Sequence, residues 1–144
     1  MSQTAVIASL QISPAHREPM RMLDSVRAIQ DRGLEGDRQT LSGGGGSRQV
    51  LLMDEETLAA FGLSAGVVKE NITTRGLALK TLTPGTRLRI GDAILEITKS
   101  CTPCGRMDEI QPGLRAALEG QRGMLARVVQ GGRLNVGDAI AVVK

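Results

Sequence analysis

Both cysteines of the chain fall within four residues, Cys101-Thr102-Pro103-Cys104, and Gly105 and Arg106 follow them. Two thiols at this spacing support three chemistries: half of a tetrahedral zinc site, a redox disulfide, or one working thiolate beside an inert neighbour. Zinc needs a second ligand pair, and the one histidine, His16, lies far off in a polar stretch near Pro14, so no structural zinc is expected. A thioredoxin-type disulfide opens a helix after a parallel strand, whereas these cysteines follow a stretch that reads as a barrel strand; that reading keeps a minor place. The pattern favours a single thiol on a loop leaving a strand. Pro103 stiffens the approach, Gly105 lets a ligand close in, and Arg106 favours the thiolate. Cys104 is the expected reactive residue, and Cys101 reads as a small buried hydrophobe.

The rest of the chain must supply a scaffold for that loop. At 144 residues it is read as one domain, 1–144, long enough to bury about two-thirds of its unfolded surface without staples. With 41% hydrophobic residues, 18 glycines and a net charge of +3, the composition is that of a globular protein whose backbone turns often. Nucleic acid is not an expected partner, because Phe61 is the only aromatic residue and bases are gripped largely by stacking. No run of apolar residues is long enough to span a membrane, and the N-terminus lacks the pattern of a signal peptide. A cytoplasmic location, which would keep both thiols reduced, is the corresponding expectation.

An internal echo organises the second half. "TRLRIGDAILEI" (86–97) and "GRLNVGDAIAVV" (132–143) share R-L-x-[IV]-G-D-A-I at an offset of 46 residues. Each copy alternates polar and apolar residues on both sides of a Gly-Asp turn, which predicts a β-hairpin or a strand pair at a barrel corner. Further strands are expected at 4–12, 48–53, 70–76 and 124–130, and 20–30 is assigned to strand over helix. Two short helices fit between them. Asp54 can cap one that Gly62 closes, and Pro112 can open another that Gly120 closes. Many short strands with few short helices imply a mainly β protein, a small barrel rather than a layered α/β sheet. The glycine-rich "SGGGGSR" (42–48) is read as a loop tip, four consecutive glycines being too mobile for a preorganised anion nest.

"GLEGDR" (33–38), "ENITTRGL" (70–77), "PGTRLRIGDAILEIT" (84–98), "CTPCGRMDEIQPGL" (101–114) and "RGMLARVVQGGRLNVGD" (122–138) stand in the order and spacing of a MOSC domain, the molybdenum cofactor sulfurase C-terminal domain. The chain resembles a stand-alone, bacterial-type member of that family over almost its whole length. The resemblance implies a single distorted β-barrel with a cleft, and in the cleft a cysteine, here Cys104, that carries sulfane sulfur as a persulfide or ligates the molybdenum of a pterin cofactor. A thiolate suits both tasks. The phosphate of the pterin arm needs cationic donors, for which Arg38, Arg48, Arg75 and Arg127 are candidates beside Arg106; Glu70, Asn71 and Thr73 are candidates for the pterin edges. Better-understood members join this domain to a pyridoxal-phosphate desulfurase, an extra barrel or an electron-transfer module. For this bare domain the resemblance therefore implies a separate sulfur donor, a cysteine desulfurase, or a separate electron-transfer protein. Two other functions compete: a molybdenum-dependent reductase of N-hydroxylated substrates with Cys104 as the metal ligand, and a non-catalytic binding module for an anionic metabolite.

Overall fold

The computed structural model describes residues 5–15, 18–41, 46, 48–101, 106–121 and 123–143. In chain order its elements are β1 (Ala5–Ile12), β2 (Arg21–Leu23), β3 (Ser25–Ile29), β4 (Gly33–Leu34), α1 (Arg38–Leu41), β5 (Val50–Asp54), α2 (Glu55–Ala60), β6 (Ile72–Arg75), a 3₁₀ turn (Leu79–Thr81), β7 (Arg87–Ile90), β8 (Ala93–Ser100), α3 (Arg106–Ile110), α4 (Leu114–Ala117), β9 (Met124–Gln130), β10 (Gly132–Asn135) and β11 (Ala139–Val143). Seven strands close into a barrel in the order β11-β7-β8-β9-β5-β6-β1, with β1 returning to β11 through Ala5↔Ile140 and Val6↔Ala139. Among the described residues every pairing is antiparallel except β5 with β6.

Alternation drives one face of each strand inward. Ile7 and Leu10 of β1, Leu52, Ile72, Leu88 and Ile90, Leu95 and Ile97, and Ala126 and Val128 share one core and are essentially inaccessible. Each fully buried Leu or Ile contributes roughly 1.5–3 kcal/mol. A second, three-stranded sheet, β10-β3-β4, sends Val26, Ala28, Leu34 and Leu134 into the same core, so it is part of the same unit. Outside the barrel, Leu58 of α2, Met107 of α3 and Leu114 of α4 pack with Met53, which faces away from the core on β5.

The mainly β barrel expected from the sequence is the fold observed. The two echoed segments are both strand–turn–strand but are not equivalent in pairing. The first is a hairpin, with Leu88 opposite Leu95 and Ile90 opposite Ala93. In the second, β10 pairs with β3 in the small sheet while β11 returns to the barrel between β7 and β1, so its Gly-Asp turn is a corner between sheets. The two turns meet: a Cβ on Gly91, whose φ is +58°, would lie 3.4 Å from Asp138 Oδ2. Residues 20–30 form two short strands rather than one. Asp54 caps α2 as expected, accepting from the Thr57 amide at 3.0 Å, and Gly62 follows with φ +68°. The later helix starts at Leu114, after Pro112, because Gly113 turns left-handed at φ +84°. Helices α1 and α3 were not expected, and α3 begins where only a loop was foreseen. Of the glycine-rich segment 42–48, residues 42–45 and 47 lie outside the described residues.

Candidate functional site

The Gly-Asp-Arg turn is tied to the barrel by one buried carboxylate. Gly36, at φ +85°, brings Asp37 back over the end of β1, where Asp37 Oδ1 accepts from the Ser13 amide at 2.8 Å and from Asn71 Nδ2 at 3.1 Å. The Arg38 amide donates to the Ser13 carbonyl at 2.7 Å, which sets the start of α1. Asn71 is the hub of this arrangement. Besides Asp37, its Nδ2 reaches the Gln11 carbonyl at 3.3 Å, and its Oδ1 accepts from the Leu51 amide at 3.0 Å.

A second buried network adjoins it. Thr73 Oγ1 and the Gly66 amide both donate to Glu70 Oε2 at 2.9 Å, and Gln11 Nε2 donates to Thr73 Oγ1 at 3.1 Å and to the Glu70 carbonyl at 3.0 Å. Ser9 donates to Gln11 Oε1. Glu70 Oε1 is buried with no hydrogen-bond partner among the described residues. Burial pushes the Glu70 carboxyl above its ordinary range, against the hydrogen bonds from Gly66 and Thr73 that pull it down. Glu70, Asn71 and Thr73 are each under 7% exposed, and most of their polar atoms are spent on the scaffold.

The Leu51 side chain connects this hub to the cysteine segment. Leu51 points outward on β5 and packs with Leu125 of β9 and Cys101, which is 4% exposed. The Cys101 amide donates to the Gly123 carbonyl at 3.0 Å, so the chain is held to the barrel at the point where it leaves β8. Cys104 and the Arg106 side chain lie outside the described residues. Two of the remaining arginine candidates are paired with different carboxylates. Arg75 forms a two-point ion pair with Glu55, at 2.7 and 3.1 Å, on the outside of the barrel, and Arg127 pairs with Glu96 at 3.1 Å on another part of the outer surface. Arg38 and Arg48 are exposed.

Where β8 ends, a cavity of about 340 Å³ is lined by Lys80, Thr83, Lys99, Ser100, Gly123 and Met124 among others, with no carboxylate among the described residues of its wall. Lys80 Nζ is 3.3 Å from Gln121 Oε1, and Lys99 is in no ion pair among the described residues. Two ammonium groups and two hydroxyls suit an anion such as a phosphate, so the lining fits the phosphate arm of a pterin cofactor. Among the described residues no group of three His, Cys, Asp or Glu side chains could hold a metal. Sequence reasoning missed Lys80 and Lys99. They are 19 residues apart in isolated positions, and only the turn after β6 and the end of β8 bring them to one wall.

The MOSC domain family model matches residues 39–141, so this chain belongs to the MOSC domain family, which is associated with molybdenum cofactor binding. Solved structures share its fold. The YuaD protein of Bacillus subtilis superposes with a TM-score of 0.78 at 21% identity, covering 96% of this chain and 94% of that one. YiiM of Geobacillus stearothermophilus gives 0.77 at 18% identity over 97% of this chain and 75% of its own, and YiiM of Escherichia coli gives 0.75 at 18% over 96% and 70%. No curated protein matches the chain. Among the described residues no helix is long and apolar enough to cross a membrane.

Proposed function

We propose that this MOSC domain binds the molybdenum–pterin cofactor and handles sulfane sulfur through Cys104, in a reducing, cytoplasmic compartment. The observation that supports the reading best is the cavity with Lys80 and Lys99, lined by no carboxylate among the described residues and placed where the cysteine segment leaves β8. Its ammonium groups would hold the phosphate, while Thr83 and Ser100 donate further hydrogen bonds. When bound, the cofactor would supply a molybdenum centre that already carries dithiolene sulfurs and would suit one further thiolate. Cys104 serves as that thiolate, Arg106 stabilises its charge, and the Asp37–Asn71–Leu51 scaffold fixes the ground on which Cys101 and the following residues stand. In sulfur transfer, the Cys104 thiolate attacks the outer sulfur of a donor persulfide; a Cys104–S–S bond forms, the donor S–S bond breaks, and the donor leaves as a thiolate. Pyridoxal phosphate belongs, on this reading, to the donor desulfurase.

The test is to purify the protein from a host that makes the cofactor and to measure molybdenum, pterin absorption and persulfide in wild type and Cys104→Ser. With no Trp and no Tyr the chain is nearly transparent in the near ultraviolet, so bound pterin dominates the spectrum. The expected result is pterin absorption in the wild type, with molybdenum and persulfide both lost in a folded Cys104→Ser protein. Equal molybdenum in the two removes the ligand role. Molybdenum without any persulfide after exposure to a desulfurase and cysteine favours the reductase instead.

A further inference from the structure

Outward side chains of β7, β8 and β9 are aligned in rows by the strand register. Arg87 stands opposite Glu96, and Glu96 opposite Arg127. The Nε atoms of Arg87 and Arg127 lie 3.2 and 3.1 Å from different oxygens of the one Glu96 carboxylate, so the row keeps a net positive charge. In the next row Arg89 is flanked by Ile94 and by Ala141 of β11; it is exposed and in no ion pair among the described residues. The apolar cluster that includes residues of α2, α3 and α4 takes Met53 of β5 and nothing from β7 or β8. Among the described residues this sheet face carries Arg87, Arg89 and Arg127 around the Glu96 carboxylate, with Ile94 and Ala141 beside Arg89.

This face is continuous with the cysteine segment. Leu125, two residues before Arg127 on the same side of β9, is the residue against which Cys101 packs, and β8 runs from Glu96 to Ser100, directly before Cys101. We propose that this arginine face docks an acidic surface of the protein that delivers sulfur to Cys104, an inference that rests on the sulfur-handling reading above. Charge complementarity of this kind steers the encounter and sets its orientation. Phe61, the one aromatic residue of the chain, is on none of these strands, so the face offers no aromatic platform, which favours a protein over a nucleic acid. The transfer is the exchange already written, with the donor persulfide supplying both the sulfur and the leaving thiolate.

Persulfide loading of Cys104 is measured by two routes, from inorganic polysulfide and from a cysteine desulfurase carrying a radiolabelled persulfide. The proteins compared are wild type, Arg89→Glu, Arg89→Gln and the control Arg115→Glu on α4. The expected result is equal polysulfide loading in all four, with desulfurase transfer to Arg89→Glu slowed about tenfold at low salt, less for Arg89→Gln, unchanged for Arg115→Glu, and the difference shrinking at high salt. Equal enzymatic transfer to all four, or none to a wild type that polysulfide does load, overturns the docking face. Failure of polysulfide to load wild-type Cys104 overturns the sulfur-handling reading, and this inference with it.

Discussion

A single carboxamide, that of Asn71, bonds three chain segments at once: the Asp37 carboxylate, the Gln11 carbonyl and the Leu51 amide. Asn71→Ala leaves those groups buried without their partner and is expected to cost about 2–4 kcal/mol, read from the urea midpoint at unchanged slope. Glu70 is expected to act in the opposite sense. Its folded pKa is raised by burial, so its contribution to stability is full below its ordinary pKa and is lost as pH rises through the folded value. Glu70→Gln should therefore be at no advantage near pH 4 and gain stability over wild type toward neutral pH; an unchanged wild-type profile in the variant would sink this account. The polar pattern of residues 70–73 was legible as a cluster, but the buried hydrogen-bond networks it enters were not. Two of their partners, Asp37 and Gln11, bond to them from 34 or more residues away, and only the fold makes them neighbours. The same holds for Arg75 and Arg127: nothing local announces that Glu55 and Glu96 stand opposite them.

At the level of elements, glycines separate into those that turn the chain and those that admit another backbone. Gly123 does both, with φ +114° and a position where a Cβ would fall 2.1 Å from the Leu52 carbonyl oxygen. Gly123→Ala is expected to lose roughly 3 kcal/mol or more, because β5 must shift as well as the strained residue. Gly62→Ala meets only open space and should cost about 1 kcal/mol, the left-handed penalty alone. Thermal melts of the two variants check the contrast. Strands and the cap of α2 were legible because alternation and capping act over a few residues. The fate of the second Gly-Asp echo was not. Its local sequence repeats the first, while the choice between hairpin and corner is made by β3 and β1, which compete for β10 and β11 from the other end of the chain. Helix α3 escaped notice for a related reason: its single buried apolar anchor, Met107, has its partners on β5 and in α2 and α4.

For the whole molecule, the decisive pairing is the one that closes the barrel, Ala5↔Ile140 and Val6↔Ala139, between residues more than 130 positions apart. Such contacts must await most other order, so refolding is expected on the order of milliseconds to seconds rather than microseconds. Stopped-flow far-ultraviolet dichroism measures it, there being no Trp or Tyr to report by fluorescence. A variant ending at Asp138 lacks β11 and should fail to unfold cooperatively. The same pairing bears on synthesis. Before a newly made chain has added β11, β1 and β7 each present an edge that no other described strand covers, so the folding chain passes through a stage at which a neighbouring copy can supply the missing strand. Closure is thus a competition between the chain's own β11 and that of a neighbour, and a refolding yield that falls as protein concentration rises would report it.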